Sequence, residues 1–207
     1  MSKYICVLDF EANCAENMKA LGMDNEVIEF PSVLLKVDGH TVTKISEFQL
    51  YCKPKHTPIL TPFCKQLTKI TQDKVDAGVA FPDALKQHEM WLRSNVPNFD
   101  EHIKLNTCVI VTCGNWDMVT MARKEYKNYG IKNVHSIYKR FVNIKQDFCT
   151  FYKRNKQLGM DGMLNILKLK LDGTHHSGID DCRNISKIVI KMFSDGLAFD
   201  AMNVVNV

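Results

Sequence analysis

Seven residues from Tyr4 to Phe10 limit the folds open to this chain more than any other segment. The run Tyr-Ile-Cys-Val-Leu-Asp-Phe is apolar throughout except at Asp9. A strand-length run rich in apolar residues at successive positions is buried on both faces, so it belongs inside a sheet that is covered on both sides. Pro31–Val37 and Lys44–Cys52 are expected as the next strands, joined by a turn at Asp38-Gly39, a good hairpin signal. Together these three runs predict an antiparallel meander.

Short helices and loops are expected over Thr57–Val75. Phe81–Asn95 places Leu85, Met90 and Trp91 in a helical pattern, and Pro97 stops it. Thr107–Thr112 is a further β-branched strand, ended by Cys113-Gly114, and Trp116–Tyr126 is the helix that leaves it. Basic, aromatic-rich helical segments are expected over Ser136–Lys156, a short helix over Met160–Leu167 and a long one over Ser177–Asp195. Ala198–Val207 receives no assignment. Strands come first and then alternate with helices, which predicts an α/β fold with a mixed sheet flanked by helices.

Composition narrows the class of molecule. With 207 residues, 45% of them hydrophobic, and a net charge of +4, the expectation is one globular domain over residues 1–207 and not a disordered chain. Gly and Pro together make only 16 residues, which excludes a collagen-like or low-complexity chain. No apolar run approaches the ~18 residues of a membrane span, so no membrane partner is expected. The strand-like start is not that of a signal peptide. The eight cysteines show no CxxC and no zinc-finger spacing. They are expected to be reduced and structural, in an intracellular protein of the cytoplasm and/or nucleus.

The chemistry begins at the end of the first strand. Asp9 and Glu11 are two residues apart, so they project from one face roughly 6.5–7 Å apart. Either the strand has ended and both acids are solvated, or a divalent cation between them offsets their repulsion and desolvation. Asp117 follows Trp116 at a strand-to-helix junction. An acid suits the first turn of a helix for dipole reasons alone, and Trp116 is either core or a platform for a nucleobase.

At the last helix, periodicity separates two neighbouring aspartates. Asp181 shares its stripe with Ile185, Ile188 and Met192, the apolar face. Asp180 shares its stripe with Asn184, Lys187 and Lys191, expected to be solvated, and fits a capping-box acid three residues after Ser177. His176 lies five residues before the inward acid, where a neutral imidazole suits a general base that activates water. Asp9, Glu11, Asp117 and Asp181 could thus hold two divalent metals ~3.5–4 Å apart, as in phosphodiester hydrolysis. All-oxygen ligation favours Mg²⁺ or Mn²⁺ over zinc. Without those acids the chain keeps 27 basic against 19 acidic residues, a surround suited to a polyanion.

These segments carry a resemblance. Asp9-Phe10-Glu11-Ala12-Asn13-Cys14 resembles the first motif of the DEDDh (DnaQ-like) 3′–5′ exonucleases, and Cys113-Gly114-Asn115-Trp116-Asp117-Met118 the second. His176-Ser177-Gly178-Ile179-Asp180-Asp181 has the HxxxxD spacing of the third. Ile28-Glu29-Phe30-Pro31-Ser32-Val33-Leu34-Leu35, the run Phe63–Val75 and Asn143-Ile144-Lys145 are similar to the enhanced-RNA-interference branch, which trims histone mRNA and ribosomal RNA 3′ ends.

The resemblance implies an RNase H-like fold with a five-stranded mixed sheet, and Mg²⁺-dependent release of nucleoside 5′-monophosphates from RNA 3′ ends. It implies that Asp9, Glu11 and Asp181 ligate a metal pair, with Asp117 on the second metal, and that His176 deprotonates the attacking water. Phe63, Leu67, Thr68 and Trp116 would line the pocket for the terminal nucleotide, and Ala12, Asn13 and Cys14 would pass close to its sugar. Human-type members carry an N-terminal nucleic-acid-binding module that is not expected here.

Tyr138–Lys156 interleaves Lys139, Arg140, Lys145, Lys153, Arg154 and Lys156 with Tyr138, Phe141, Phe148, Phe151 and Tyr152. That pattern fits either a single-stranded RNA track, with Lys153 and Arg154 on the backbone, or two amphipathic helices with the aromatics in the core. Single-stranded RNA 3′ ends or overhangs are the expected partner. The alternatives are a DNA exonuclease of the same superfamily and an inactive RNA-binding protein on the same fold. No phosphate-loop motif is present.

Overall fold

The computed structural model describes residues 2–207. Strand β1 (Lys3–Leu8) is followed by the short β2 (Glu11–Ala12) and the long hairpin of β3 (Val27–Asp38) and β4 (Thr41–Tyr51). Further along come β5 (Cys108–Thr112), β6 (Arg140–Asn143) and β7 (Val204–Asn206). β1 is antiparallel to β3 and parallel to β5, β5 is parallel to β6, and β4 and β7 pair antiparallel with β3 and β6. The expected meander is therefore present as β1, β3 and β4. Gly39, at φ 64°, makes the tight turn between the hairpin strands. The five strands β1, β3, β4, β5 and β6 form the mixed sheet, and the short β2 and β7 extend it to seven.

The sheet has one interruption, and the chemistry collects there. β1 pairs with β3 as far as Leu8 opposite Ser32, then the chain leaves the ladder and β2 rejoins the same side of β3 with Glu11 opposite Glu29. Pro31 falls opposite the gap. Its carbonyl also accepts from Ser32 Oγ at 2.7 Å and Cys182 Sγ at 3.6 Å. A proline inside a strand is tolerated where no partner needs its missing N–H. The strand thus runs on through Pro31 instead of starting there.

Helices α1 (Pro62–Thr68) and α2 (Gln72–Asp76) occupy the region of expected short helices, and α3 (Phe81–Asn95) and α4 (Phe99–Lys104) follow. The remaining helices are α5 (Arg123–Asn128), α6 (Ile144–Phe151), α7 (Met160–Ile166) and α8 (Gly178–Ser194). Alternate residues of β1 serve two cores. Tyr4, Cys6 and Leu8 pack with Phe30 and with Phe81, Leu92 and Phe99 of α3 and α4. Ile5 and Val7 pack with Phe148, Met163, Ile185 and Ile188 on the other face. Burial on both sides is what the apolar run demands. Of the eight free cysteines, Cys6, Cys52, Cys64, Cys108 and Cys182 are buried, as small apolar residues would be. Among the described residues no helix is long and apolar enough to cross a membrane.

Two segments depart from expectation. Ser136–Lys156 is not helical throughout: a 3₁₀ turn (Ser136–Lys139) leads into β6, and only then α6. Four residues are too few to reveal a strand by alternation, and pairing with β5 decides the matter. Tyr138, Phe141 and Phe148 are buried in the cores, and the Tyr138 hydroxyl lies 2.8 Å from His88 Nδ1. These three are packing residues and not base-stacking platforms. Phe151 and Tyr152 pack partly buried beside the second core. Trp116–Tyr126 is helical, but its first part, Trp116–Ala122, is wound as a π-helix before α5 continues it.

Candidate active site

Where β1 ends, the Phe10 N–H loses its ladder partner. Asp117 Oδ1, from the first turn of the π-helix, accepts it at 2.8 Å. A buried backbone donor is thereby satisfied, and Asp117, only 4% exposed, is fixed against the strand break. Asp9 and Glu11 do not lie on one continuous strand as expected, since the chain breaks between them and bulges at Glu11/Ala12. They converge all the same: Asp9, Glu11 and Asp181 each bring a carboxylate oxygen within 4.8 Å of the others.

Asp181 comes from α8, whose start presses into the gap in the sheet. A Cβ on Gly178 would lie 2.8 Å from Pro31 Cγ and 3.0 Å from Asp9 O, so only glycine permits this approach. The helical-face argument holds for Asp181, which is buried in line with Ile185, Ile188 and Met192. It holds less well for Asp180. No capping box forms: the Ser177 side chain makes no cap bond, and Asp180 accepts from Thr174 N at 3.0 Å and Arg183 Nη1 at 2.8 Å. Asn184, expected in solvent, is fully buried and tied to both the N–H and C=O of Asp172. A polar residue that can satisfy a loop backbone is held in by that loop.

The acids strain against one another. Burial, then the charges of Asp117, Glu11 and Asp181, push Asp9 well above the usual carboxylate range, with Lys145 opposing. Burial and then Glu29 push Glu11 to about 9. Asp117 and Asp181 are each raised to about 6 by burial, offset in part by the N–H groups of Phe10 and His176. Asp181 Oδ2 takes the His176 N–H at 3.0 Å, while Oδ1 is buried with no hydrogen-bond partner. Convergent oxygens, mutual repulsion and one orphaned lone-pair atom together fit a divalent cation.

His176 adopts φ 66°, a left-handed conformation uncommon outside glycine. That turn aims its N–H inward at Asp181. Burial, followed by the neighbouring His175, lowers the affinity of its ring for a proton, against Asp161. A neutral imidazole beside the acids is therefore available as a base.

The acids and His176 open onto a cleft of about 430 Å³. Of the residues expected near the nucleotide, Ala12, Cys14, Leu67, Thr68 and Trp116 line it. Trp116 is 42% exposed, a large aromatic face kept out of the core. Phe63 faces the adjoining groove with Leu21, Pro62 and Gln66. Asn13 is not at the cleft wall; it is fully buried, takes the Glu26 N–H at 2.7 Å and donates to Thr57 O at 3.2 Å, bracing the loops behind. Lys153 and Arg154 border a separate shallow surface with Lys156 and Leu158.

Two residues named in the sequence only within longer runs, Lys145 and Glu29, stand at the acid cluster. Lys145, at the start of α6, lines the cleft, and Gly114 (φ 124°) leaves its ammonium room, since a Cβ there would lie 3.4 Å from Nζ. The readable signal was Asn143, which caps α6 by accepting from Lys145 N at 3.1 Å. Glu29 stands behind Glu11, accepting from Gln49 Nε2 at 2.7 Å and Gly178 N at 3.2 Å. A lone carboxylate in the apolar run of β3 was its signal, because a buried charge needs partners.

Comparison with known proteins identifies the family of the chain. The Exonuclease family model (RNase_T) matches residues 6–189. Mouse 3′-5′ exoribonuclease 1 is 38% identical over 194 residues, an alignment covering 93% of this chain and 54% of that protein. The chain thus spans about half the length of the curated relatives it matches first. The nuclease domain of 3′hExo, a DEDDh family member solved bound to rAMP, superposes with TM-score 0.81 at 33% identity, covering 99% of this chain and 96% of that one. A 3′-exonuclease solved for its 3′-end-specific recognition of the histone mRNA stem-loop superposes with TM-score 0.76 at 30% identity, covering 99% and 90%.

Proposed function

Because the chain belongs to the DEDDh exonuclease family, on its enhanced-RNA-interference branch, we propose that it is a metal-dependent 3′–5′ exoribonuclease. It would release nucleoside 5′-monophosphates from single-stranded RNA 3′ ends or overhangs. The observation that carries the reading is the set of repelling acids, three of whose oxygens lie within 4.8 Å, with a buried Asp181 oxygen left unpartnered. A protein that only bound RNA would gain nothing from so costly an arrangement.

Asp9, Glu11 and Asp181, with Asp117, would hold two Mg²⁺ ions, or Mn²⁺, which supply charge stabilisation to the attacking and leaving oxygens of an in-line displacement. The chain's own groups do the rest. His176 accepts the proton of the attacking water, and its depressed proton affinity keeps the imidazole neutral beforehand. Asp117 holds the Phe10 N–H and with it the bend that turns Asp9 and Glu11 together. Lys145 sets a positive charge against Asp9 and Asp117 where a phosphate would approach. Trp116 offers a face for the terminal base, and Leu67 and Thr68 form part of the same wall.

The substrates implied are those of the branch: small RNAs, histone mRNA and ribosomal RNA 3′ ends. The test is 5′-labelled single-stranded RNA incubated with Mg²⁺ or with EDTA and resolved on a sequencing gel, beside a matched DNA strand. A metal-dependent ladder shrinking from the 3′ end of RNA is the expected result. Faster hydrolysis of the DNA would move the assignment to a DNA exonuclease. RNA binding with no shortening under Mg²⁺ or Mn²⁺ would overturn the enzyme.

A further inference from the structure

The oxygen-only cluster is not the only convergence of ligand atoms at the cleft. His175, His176 and Asp181 also bring one donor atom each within 4.8 Å of one another. The two rings meet edge to face, with centroids 4.0 Å apart and planes at 83°. Adjacent residues on an extended chain project to opposite sides; here the left-handed His176 (φ 66°) folds the pair onto one side. Behind them, His175 Nδ1 is buried, makes no hydrogen bond and lies 3.3 Å from Asp161 Oδ1.

We propose that His175, His176 and Asp181 form a second, nitrogen-rich cation site for a borderline transition metal such as Zn²⁺, and that filling it inhibits the enzyme. Two imidazoles and one carboxylate are a ligand set that zinc takes readily, with bonds of about 2.0–2.2 Å, leaving a position for water. Mg²⁺ prefers oxygen ligands and keeps its waters, so donor chemistry separates the two sites. Asp161 Oδ1, 3.3 Å from His175 Nδ1, is near enough to become the carboxylate that metal-bound histidines commonly carry on their other nitrogen, in which case His175 Nε2 would take the ion.

Asp181 belongs to both clusters, so an ion on the histidines draws it away from Asp9 and Glu11. The same ion takes up a ring nitrogen of His176, which then has less capacity to accept a proton from water. No bond is made or broken beyond coordination, and no electron is transferred. The inhibitory half of the proposal rests on the nuclease reading, whereas the binding half stands without it.

Co²⁺ is the probe, since its visible absorption reports nitrogen ligation and low coordination number. The whole chain is titrated with Co²⁺ in excess Mg²⁺, which competes for the oxygen ligands, and Zn²⁺ is then added to displace the cobalt. Expected is one Co²⁺ per chain with strong visible bands, lost in His175→Asn and weakened in Asp161→Asn, which keeps all three ligands. RNA hydrolysis under Mg²⁺ should be inhibited by Zn²⁺ in the parent. In His175→Asn, measured against that variant's own uninhibited rate, the half-inhibiting concentration should rise about 10–100-fold or more. Unchanged cobalt bands in His175→Asn, or equal zinc sensitivity of variant and parent, would overturn the site. If the chain hydrolyses no RNA at all, the nuclease reading fails, and the cobalt spectra still decide the binding.

Discussion

The acids of the cleft and the basic stretch from Tyr138 to Lys156 handle charge in opposite ways. The acids are forced together in a buried place, where burial and the neighbouring carboxylates raise the proton affinity of Asp9 and Glu11. The cations are dispersed. Arg140 donates to Ile103 O at 2.7 Å, and Lys153, Arg154 and Lys156 lie on a surface of their own. Lys145 alone crosses over to the cleft. Separated surface cations cost almost nothing to keep, so they say little about function. Buried like charges are expensive, and a fold that retains them is retaining a binding site.

The largest effect should come from breaking the expensive side. Asp9→Ala removes the acid that all the others press on and is expected to reduce RNA hydrolysis to background, with the circular dichroism spectrum unchanged. Substantial residual turnover would mean that the cation is held elsewhere. His176→Ala, which leaves the acids in place, should slow hydrolysis by ~10²–10⁴-fold with little change in RNA affinity. An equal loss of binding and rate would make His176 a substrate contact instead of a base.

The repulsion also has a thermodynamic signature in metal-free protein. Glu11 keeps its proton in the fold up to pH about 9, against an ordinary value of 4.5, and Asp117 and Asp181 keep theirs to about 6. Between those limits the folded chain binds more protons than the unfolded one, so stability must fall as pH rises. Below the ordinary carboxylate values both states are protonated and the advantage is fully present; it is lost as pH passes the folded values. Melting curves in EDTA should therefore decline from about pH 5 to pH 9, and Mg²⁺ should flatten the decline. A Tm that rises across this window would contradict the crowded-acid account. Lys145→Ala should steepen the decline and slow hydrolysis about tenfold, the worth of ~1.4 kcal/mol in the transition state. A rate equal to the parent's would confine Lys145 to the surface role of its neighbours.

The two regions also differ in how far the sequence discloses them. α8 runs for 17 residues, long enough for its period to set Asp181 inward and Asp180 elsewhere. β1 declares itself by apolar residues on both faces. β6 has only four residues, Arg140–Asn143, and local pattern there is no match for pairing with β5. The same stretch hid its aromatics, because interleaved basic and aromatic residues look alike whether the rings stack on bases or, like Tyr138 and Phe148, fill a core. Residues whose role depends on a partner distant in the chain were the least readable. Asn13 bonds to residues 26 and 57, and Glu29 to residue 178. No short window along the sequence contains both Asn13 and Thr57, or Glu29 and Gly178.

The smallest effect should come from the dispersed cations. Lys153→Ala combined with Arg154→Ala removes two charges from a surface outside the cleft. If an RNA strand leaving the cleft still runs over that surface, each contact releases condensed counterions, and the salt slope of binding falls by ~0.7 per phosphate lost. The cleft itself is untouched, so kcat should hold while KM on long single strands rises modestly. A substrate only two or three nucleotides long should not register the change at all. The length dependence is the informative part. A KM increase shared by the shortest substrates would place these cations within reach of the scissile nucleotide, and the separation of the two regions would be lost. A salt slope unchanged on every length would leave Lys153 and Arg154 as solvated residues, with the RNA path running along another face.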